Sequence, residues 1–104
     1  MDGKQILIIE DDEVLNTLIV DHLNAMGHEA FGTHTWAESR EILAAREPDL
    51  VVLDVRLPDA EGQTLISELS TRQPVIVLTA YGSVRDAVHA INLNIARIRK
   101  AKPL

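Results

Sequence analysis

Three short apolar runs in this 104-residue chain stop abruptly at residues that can do chemistry. Ile6-Leu7-Ile8-Ile9 stops at Glu10-Asp11-Asp12-Glu13, Leu50-Val51-Val52-Leu53 at Asp54, and Val75-Ile76-Val77-Leu78 at Thr79-Ala80. Carboxylates gathered at neighbouring strand ends repel one another and hydrate poorly. A hard divalent cation resolves both problems, and oxygen-only ligands select magnesium, manganese or calcium over zinc. Magnesium keeps several waters, takes one or two carboxylates and favours phosphate oxygens. Such a site therefore suits phosphate chemistry. A carboxylate, ionised at neutral pH, can itself attack phosphorus and form an acyl phosphate without a helper base. Metal, hydroxyl, backbone N–H and a cation then meet the charge on the phosphoryl oxygens. Any one strand ending in acids is as often a solvated loop start or a helix cap; the ordered set carries the reading.

The elements that must position these residues are legible in the pattern. Continuous apolar runs with β-branched residues read as strands buried on both faces. After Glu13 the period becomes helical: Leu15, Leu18, Ile19, His22, Leu23 and Met26 share one stripe, and Gly27 sits where a C-terminal cap belongs. His28 to Phe31 reads as a weaker strand. Thr35-Trp36-Ala37-Glu38 is a capping box that predicts a helix to about Arg46. Pro48 ends it. A Pro-, Asp- and Gly-bearing loop, Leu57 to Gly62, precedes a short helix with Leu65, Ile66 and Leu69. Ser83-Val84-Arg85-Asp86 is a second capping signal, followed by Val84, Ala87, Val88, Ile91, Ile95 and Ile98 at helical spacing. Alternating strands and helices with doubly buried strands imply a parallel sheet covered on both faces. In such sheets ligands bind at the carboxyl ends of the strands, where strand order reverses, and that is where Glu10, Asp11 and Asp54 fall.

Composition sets bounds. The length allows one domain with one modest core. The absence of cysteine removes disulfides, thiolate catalysis and cysteine-held metals, and fits a reducing compartment. The apolar runs are too short for a membrane span, and the start lacks a basic-then-apolar signal pattern. Ten bases face sixteen acids, for a net charge of −6, which makes a poor general nucleic-acid binder. Four of the bases, Arg97, Arg99, Lys100 and Lys102, lie near the C-terminus, with no acid after Asp86. His22 is expected as a partly buried packing residue. His28, His34 and His89 lack metal spacing and are expected at the surface, with Trp36 and Phe31 packed near the second strand.

Taken together, Ile6–Glu13, Pro48–Asp59 and Val77–Gly82 resemble a response-regulator receiver domain, over about residues 4–91. The phrase Thr79-Ala80-Tyr81-Gly82-Ser83 is similar to receivers of the nitrogen-regulator type, which precede transcription-activating domains. The resemblance implies a flavodoxin-like (CheY-like) doubly wound α/β fold with strand order 2-1-3-4(-5). It implies that Asp54 accepts phosphate from a phosphohistidine on a sensor histidine kinase or phosphotransfer protein, in a cytoplasmic two-component system. It further implies a magnesium ion, with manganese as a substitute. Asp11 would ligate it directly, Glu10 mostly through water, together with Asp54 and the backbone carbonyl of Arg56. Thr79 would hydrogen-bond a phosphoryl oxygen, and Ala80 would stay small to admit the donor. Asp12 needs no such role, since an acid at a helix start is favoured by the dipole. Arg56 and Tyr81 would flank and shield the acyl phosphate.

The resemblance fails near the end. The family pattern after Ile91 calls for a Gly-Ala turn, a fifth strand closed by Lys-Pro, and a last helix. This chain instead reads Asn92-Leu93-Asn94-Ile95-Ala96-Arg97-Ile98-Arg99-Lys100-Ala101-Lys102-Pro103-Leu104. The expectation is a receiver core over 1–91 and a basic tail over 92–104 that extends the preceding helix. Lys102 would reach the phosphoryl group only if the tail docks. Without a fifth strand, Val75–Leu78 becomes an exposed edge, to be covered either by the tail or by another chain, through a homodimer or strand exchange. Three functions follow. One is a phospho-accepting switch that phosphorylates and slowly dephosphorylates itself, without direct nucleic-acid contact and with its effector domain outside this chain. The second is a degenerate receiver acting as a constitutive interaction module. The third, an Asp-nucleophile phosphatase, wants an acid where Arg56 stands.

Overall fold

A computed structural model describes residues 3–54, 56–78 and 83–101, without the side chains of 62, 63 and 97–101. Strands and helices alternate in it: β1 (Gln5–Ile9), α1 (Glu13–Ala25), β2 (Glu29–Thr33), α2 (Trp36–Ala45), β3 (Leu50–Leu53), α3 (Gly62–Leu69), β4 (Val75–Val77) and α4 (Val84–Ala101). All strand pairs are parallel, in the order β2-β1-β3-β4. The expected doubly wound architecture and strand order are therefore present for the four described strands.

The period-2 alternation of strand side chains divides the apolar residues between two cores. Ile6, Ile8, Leu50, Val52 and Ile76 point to one face, where Ile19 and Leu23 of α1 and Ala87, Ile91 and Ile95 of α4 cover them. Leu7, Ile9, Val51 and Leu53 point to the other, against Leu43 of α2 and Leu65 and Leu69 of α3, with Phe31 and Trp36 packed alongside. β1 and β3 are buried on both faces, which is why they read as unbroken apolar runs.

Local chemistry fixes the helix ends. Asp12 caps α1 by accepting from Leu15 N. Its far end closes with Gly27 at φ 91°, a left-handed turn that suits glycine. There Gly27 N donates to Asn24 O and His28 N to Leu23 O. Thr35 accepts from Glu38 N at the start of α2, and Glu38 reaches back to His34 N.

The α1 stripe is rotated from its sequence expectation. Leu18 and Met26 are 44% and 48% exposed, while Asn16 is 3% exposed. His22 is exposed too, its Nδ1 bonded to Leu18 O, so it is not the packing residue the stripe suggested. His28 departs the other way: it is half-buried and its Nδ1 accepts from Lys4 N. The cause of the rotation is polar. Asn16 Nδ2 donates to Glu10 O at 3.0 Å and to Thr33 O at 2.8 Å, tying the ends of β1 and β2 to α1. Gly32 leaves room for this amide; a Cβ there would collide with Asn16 Oδ1. A second buried polar seam joins β2 to α2, where Thr33 Oγ1 and Ser39 Oγ lie 2.7 Å apart and Ser39 Oγ donates to Thr35 O. Among the described residues no buried side-chain polar atom lacks a partner.

Beyond Ile91 the backbone stays helical. α4 is one helix through Ala101, and Ile95 is buried against the α1 side of the sheet. Among the described residues β4 is the sheet edge, and Lys102 and Pro103 lie outside them.

Asn16→Ala should lose about 2 kcal/mol, because it strands the Glu10 carbonyl in a buried site. Leu18→Ala should change stability by less than about 0.5 kcal/mol, as befits an exposed position. Urea unfolding of both variants checks this order, which is the reverse of what the hydrophobic stripe alone would give.

Candidate functional site

Register brings the acids together. Ile9 of β1 lies opposite Leu53 of β3, so the next residues, Glu10 and Asp54, leave the sheet at the same level. The ladder continues one step beyond the strands: Asp54 N donates to Ile9 O at 2.8 Å and Glu10 N to Thr33 O at 3.0 Å. Both carboxylates are thereby anchored by their own backbones and buried, at 4% and 6% exposure. Asp11 stands exposed beside them. Ligand oxygens of Glu10, Asp11 and Asp54 all lie within 4.8 Å of one another. They line a cleft of about 460 Å³ with Asp12, Leu15, Arg56 and Leu78.

The electrostatics follow from that crowding. Burial pushes the Glu10 carboxyl up to about 8. The Asp12 N–H, which donates to Glu10 Oε2 at 3.1 Å, offsets part of this, while the neighbouring Asp54 and Asp11 carboxyls add to it. Asp11 is held below the usual carboxylate range, chiefly because Glu10 hydrogen-bonds to it. Burial first, and the neighbouring carboxyls second, thus favour the protonated form of Glu10. A donor set made only of carboxylate oxygens, partly buried and carrying excess negative charge, fits a hard divalent cation.

Of the residues singled out in sequence, Glu10, Asp11 and Asp54 converge on one cleft. Arg56 lines it as well; its N–H donates to Asp54 Oδ1 at 3.0 Å, and its side chain is exposed. Asp12 serves as the α1 cap that the dipole reading allowed. Thr79, Ala80, Tyr81 and Lys102 lie outside the described residues. The last described residue before them, Leu78, is on the cleft wall, one step past the Leu53–Val77 register pair.

Two contributors went unsuspected in the sequence. Asn16, outside the apolar stripe read for α1, donates to the Glu10 carbonyl and ties it to the helix. An amide on the otherwise apolar face of α1 was the available signal. Asp59 was read only as part of a loop, yet its carboxylate accepts from Trp36 N and Ala37 N at the start of α2.

Known proteins share the sequence pattern and the fold of this chain. The family description "Response regulator receiver domain" matches residues 6–100. Transcriptional regulatory protein GlrR of Escherichia coli is 35% identical over 88 residues, 82% of this chain and 20% of that protein. Response regulator protein FleR of Pseudomonas aeruginosa is 34% identical over 92 residues, 86% of this chain and 20% of that one. The chain thus spans about a fifth of the length of these curated relatives. A CheY-like receiver structure from Methanospirillum hungatei superposes with TM-score 0.79, at 20% identity over 97% of this chain and all of that one, which bears on the fold alone. A response regulator from Burkholderia pseudomallei, described with a phosphorylated aspartic acid, calcium ion and citrate, superposes with TM-score 0.68 at 28% identity, over 86% of this chain and 55% of that one. With the CheY-like fold, the converging acids and a family match over nearly its whole length, this chain belongs to the response regulator receiver domain family.

Proposed function

We propose that this chain is a phosphorylation switch in which Asp54 accepts a phosphoryl group from a phosphohistidine on a sensor histidine kinase or phosphotransfer protein. The observation that carries the reading is the convergence of Glu10, Asp11 and Asp54 on one cleft at the carboxyl ends of β1 and β3. Phosphorylated aspartate and a divalent ion in the Burkholderia relative support it by analogy. Asp11, Asp54 and the Arg56 carbonyl would hold magnesium, with Glu10 acting through water. When bound, the ion supplies positive charge to the crowded carboxylates and to phosphate oxygens. Asp54 would then supply the nucleophilic oxygen, with the Arg56 N–H orienting it; Thr79 would hydrogen-bond a phosphoryl oxygen, and Ala80 would stay small to admit the donor.

The relatives' names place receivers of this kind in transcriptional regulators. We extend that to an output domain outside residues 1–104 and to a cytoplasmic location. Among the described residues no helix is long and apolar enough to cross a membrane. The receiver core over 1–91 would continue into 92–104 as a basic helical tail, and the β4 edge offers a second copy a strand to pair with. One observation favours a second reading, an interaction module that does not switch: α4 runs on through Ala101, where the family pattern sets a fifth strand and its lysine.

Incubation with acetyl phosphate and magnesium separates the two readings. The switch should gain the mass of one phosphoryl group, and Asp54→Ala should not; a wild-type chain that never gains it is an interaction module. Arg56→Ala and Tyr81→Ala should lose their phosphate about two- to tenfold faster, as expected if they exclude attacking water; a phosphate-release assay giving wild-type rates would contradict their shielding role.

The cleft also predicts a pH effect. Glu10 titrates higher in the folded chain than its usual 4.5, so its favourable contribution is complete below that value and is lost as pH rises through about 8. Metal-free protein should therefore melt at a lower temperature at pH 8 than at pH 5. Magnesium should restore most of the difference, and Glu10→Gln should abolish it. Thermal melts at the two pH values, with and without the ion, read this directly.

A further inference from the structure

Asp59 lies in the loop that leaves Asp54, yet the phosphoryl chemistry above makes no use of it. Its carboxylate crosses to another element. Oδ1 accepts from Trp36 N at 2.8 Å and Oδ2 from Ala37 N at 3.0 Å. These are the first two residues of α2, whose N–H groups have no partner inside the helix. The next orphan, Glu38 N, is taken by Thr35 Oγ1 at 3.2 Å. One helix end therefore carries two independent caps, one local and one delivered by the acceptor loop. The same N–H groups hold the Asp59 carboxyl below its ordinary range, the Trp36 N–H foremost.

The loop itself is fastened along its length. Asp54 N is bonded to Ile9 O, Leu57 is buried, and Ala60 packs into the cluster that also takes Trp36. Arg56, whose N–H holds Asp54 Oδ1, sits within the stretch closed off by Asp59. Among the described residues, freeing the Asp59 end would leave this stretch held before α3 chiefly by the packing of Leu57 and Ala60. A loop held in its working shape gives up less entropy when a ligand arrives.

We propose that Asp59 is a positioning residue for the acceptor cleft: by fastening the β3–α3 loop to the start of α2, it holds the Arg56 main chain in place beside Asp54. The inference rests on the reading of that cleft as a magnesium and phosphoryl site.

The test compares two caps of one helix. Magnesium affinity by calorimetry and acyl-phosphate half-life are measured for the wild type, Asp59→Ala, Asp59→Asn and Thr35→Ala. Each alanine variant removes a cap from α2, so both should lower the melting temperature. Only Asp59→Ala should weaken magnesium binding, by about threefold or more, and change the phosphate lifetime. Asp59→Asn keeps one acceptor and should fall between. Hydrogen exchange at the Trp36 and Ala37 amides should quicken in Asp59→Ala. Equal magnesium affinity in Asp59→Ala and Thr35→Ala would overturn the inference and leave Asp59 a cap. A wild-type chain that binds no magnesium and takes no phosphate would instead overturn the underlying reading, before any variant is made.

Discussion

The register of β1 against β3 forces Glu10 and Asp54 into one another's field. Ile9 and Leu53 are paired by backbone hydrogen bonds inside a doubly buried sheet, so neither carboxylate can retreat without slipping a strand. A slip of one residue would turn every apolar side chain of that strand to the wrong core. The fold's own packing thus holds an electrostatically unfavourable cluster in place. Burial at the sheet end, with Asp54 and Asp11 beside it, raises the Glu10 carboxyl, and the Glu10 hydrogen bond pulls Asp11 low.

The surrounding structure braces this arrangement with few polar parts. Asn16 holds the Glu10 carbonyl from below, and the Thr33–Ser39 pair locks β2 to α2. Asp59 ties the loop beyond Asp54 to that same helix. Each is a bond between two different elements, and each lies at the carboxyl end of the sheet; the Asp59 bonds alone of the three reach far along the chain. At the opposite end the chain uses simpler means, such as the Asp49 side chain accepting from Gln5 N and the Gly27 turn closing α1.

Much of this was legible in the sequence. The apolar runs of β1, β3 and β4, the Thr35 and Ser83 caps and the Gly27 turn are local signals, and each lies where its pattern placed it. The acids at the ends of β1 and β3 could be paired because parallel sheets align their carboxyl ends. The α1 face was misjudged because hydrophobicity cannot register an amide that two buried carbonyls require. Leu18 and Met26 consequently looked like core, and Asn16 did not. Asp59 was read only as a loop residue because its partners, Trp36 and Ala37, are far away in sequence and offer only backbone N–H groups, which every residue has.

The crowded carboxylates favour a proton on Glu10 that a bound divalent cation would displace. Calorimetric titration of magnesium at pH 7, in buffers of different ionisation enthalpy, counts the protons released on binding. With the Glu10 carboxyl raised to about 8, nearly one proton per ion should be released at this pH, falling to none in Glu10→Gln. Magnesium binding with no proton release in the wild type would contradict it.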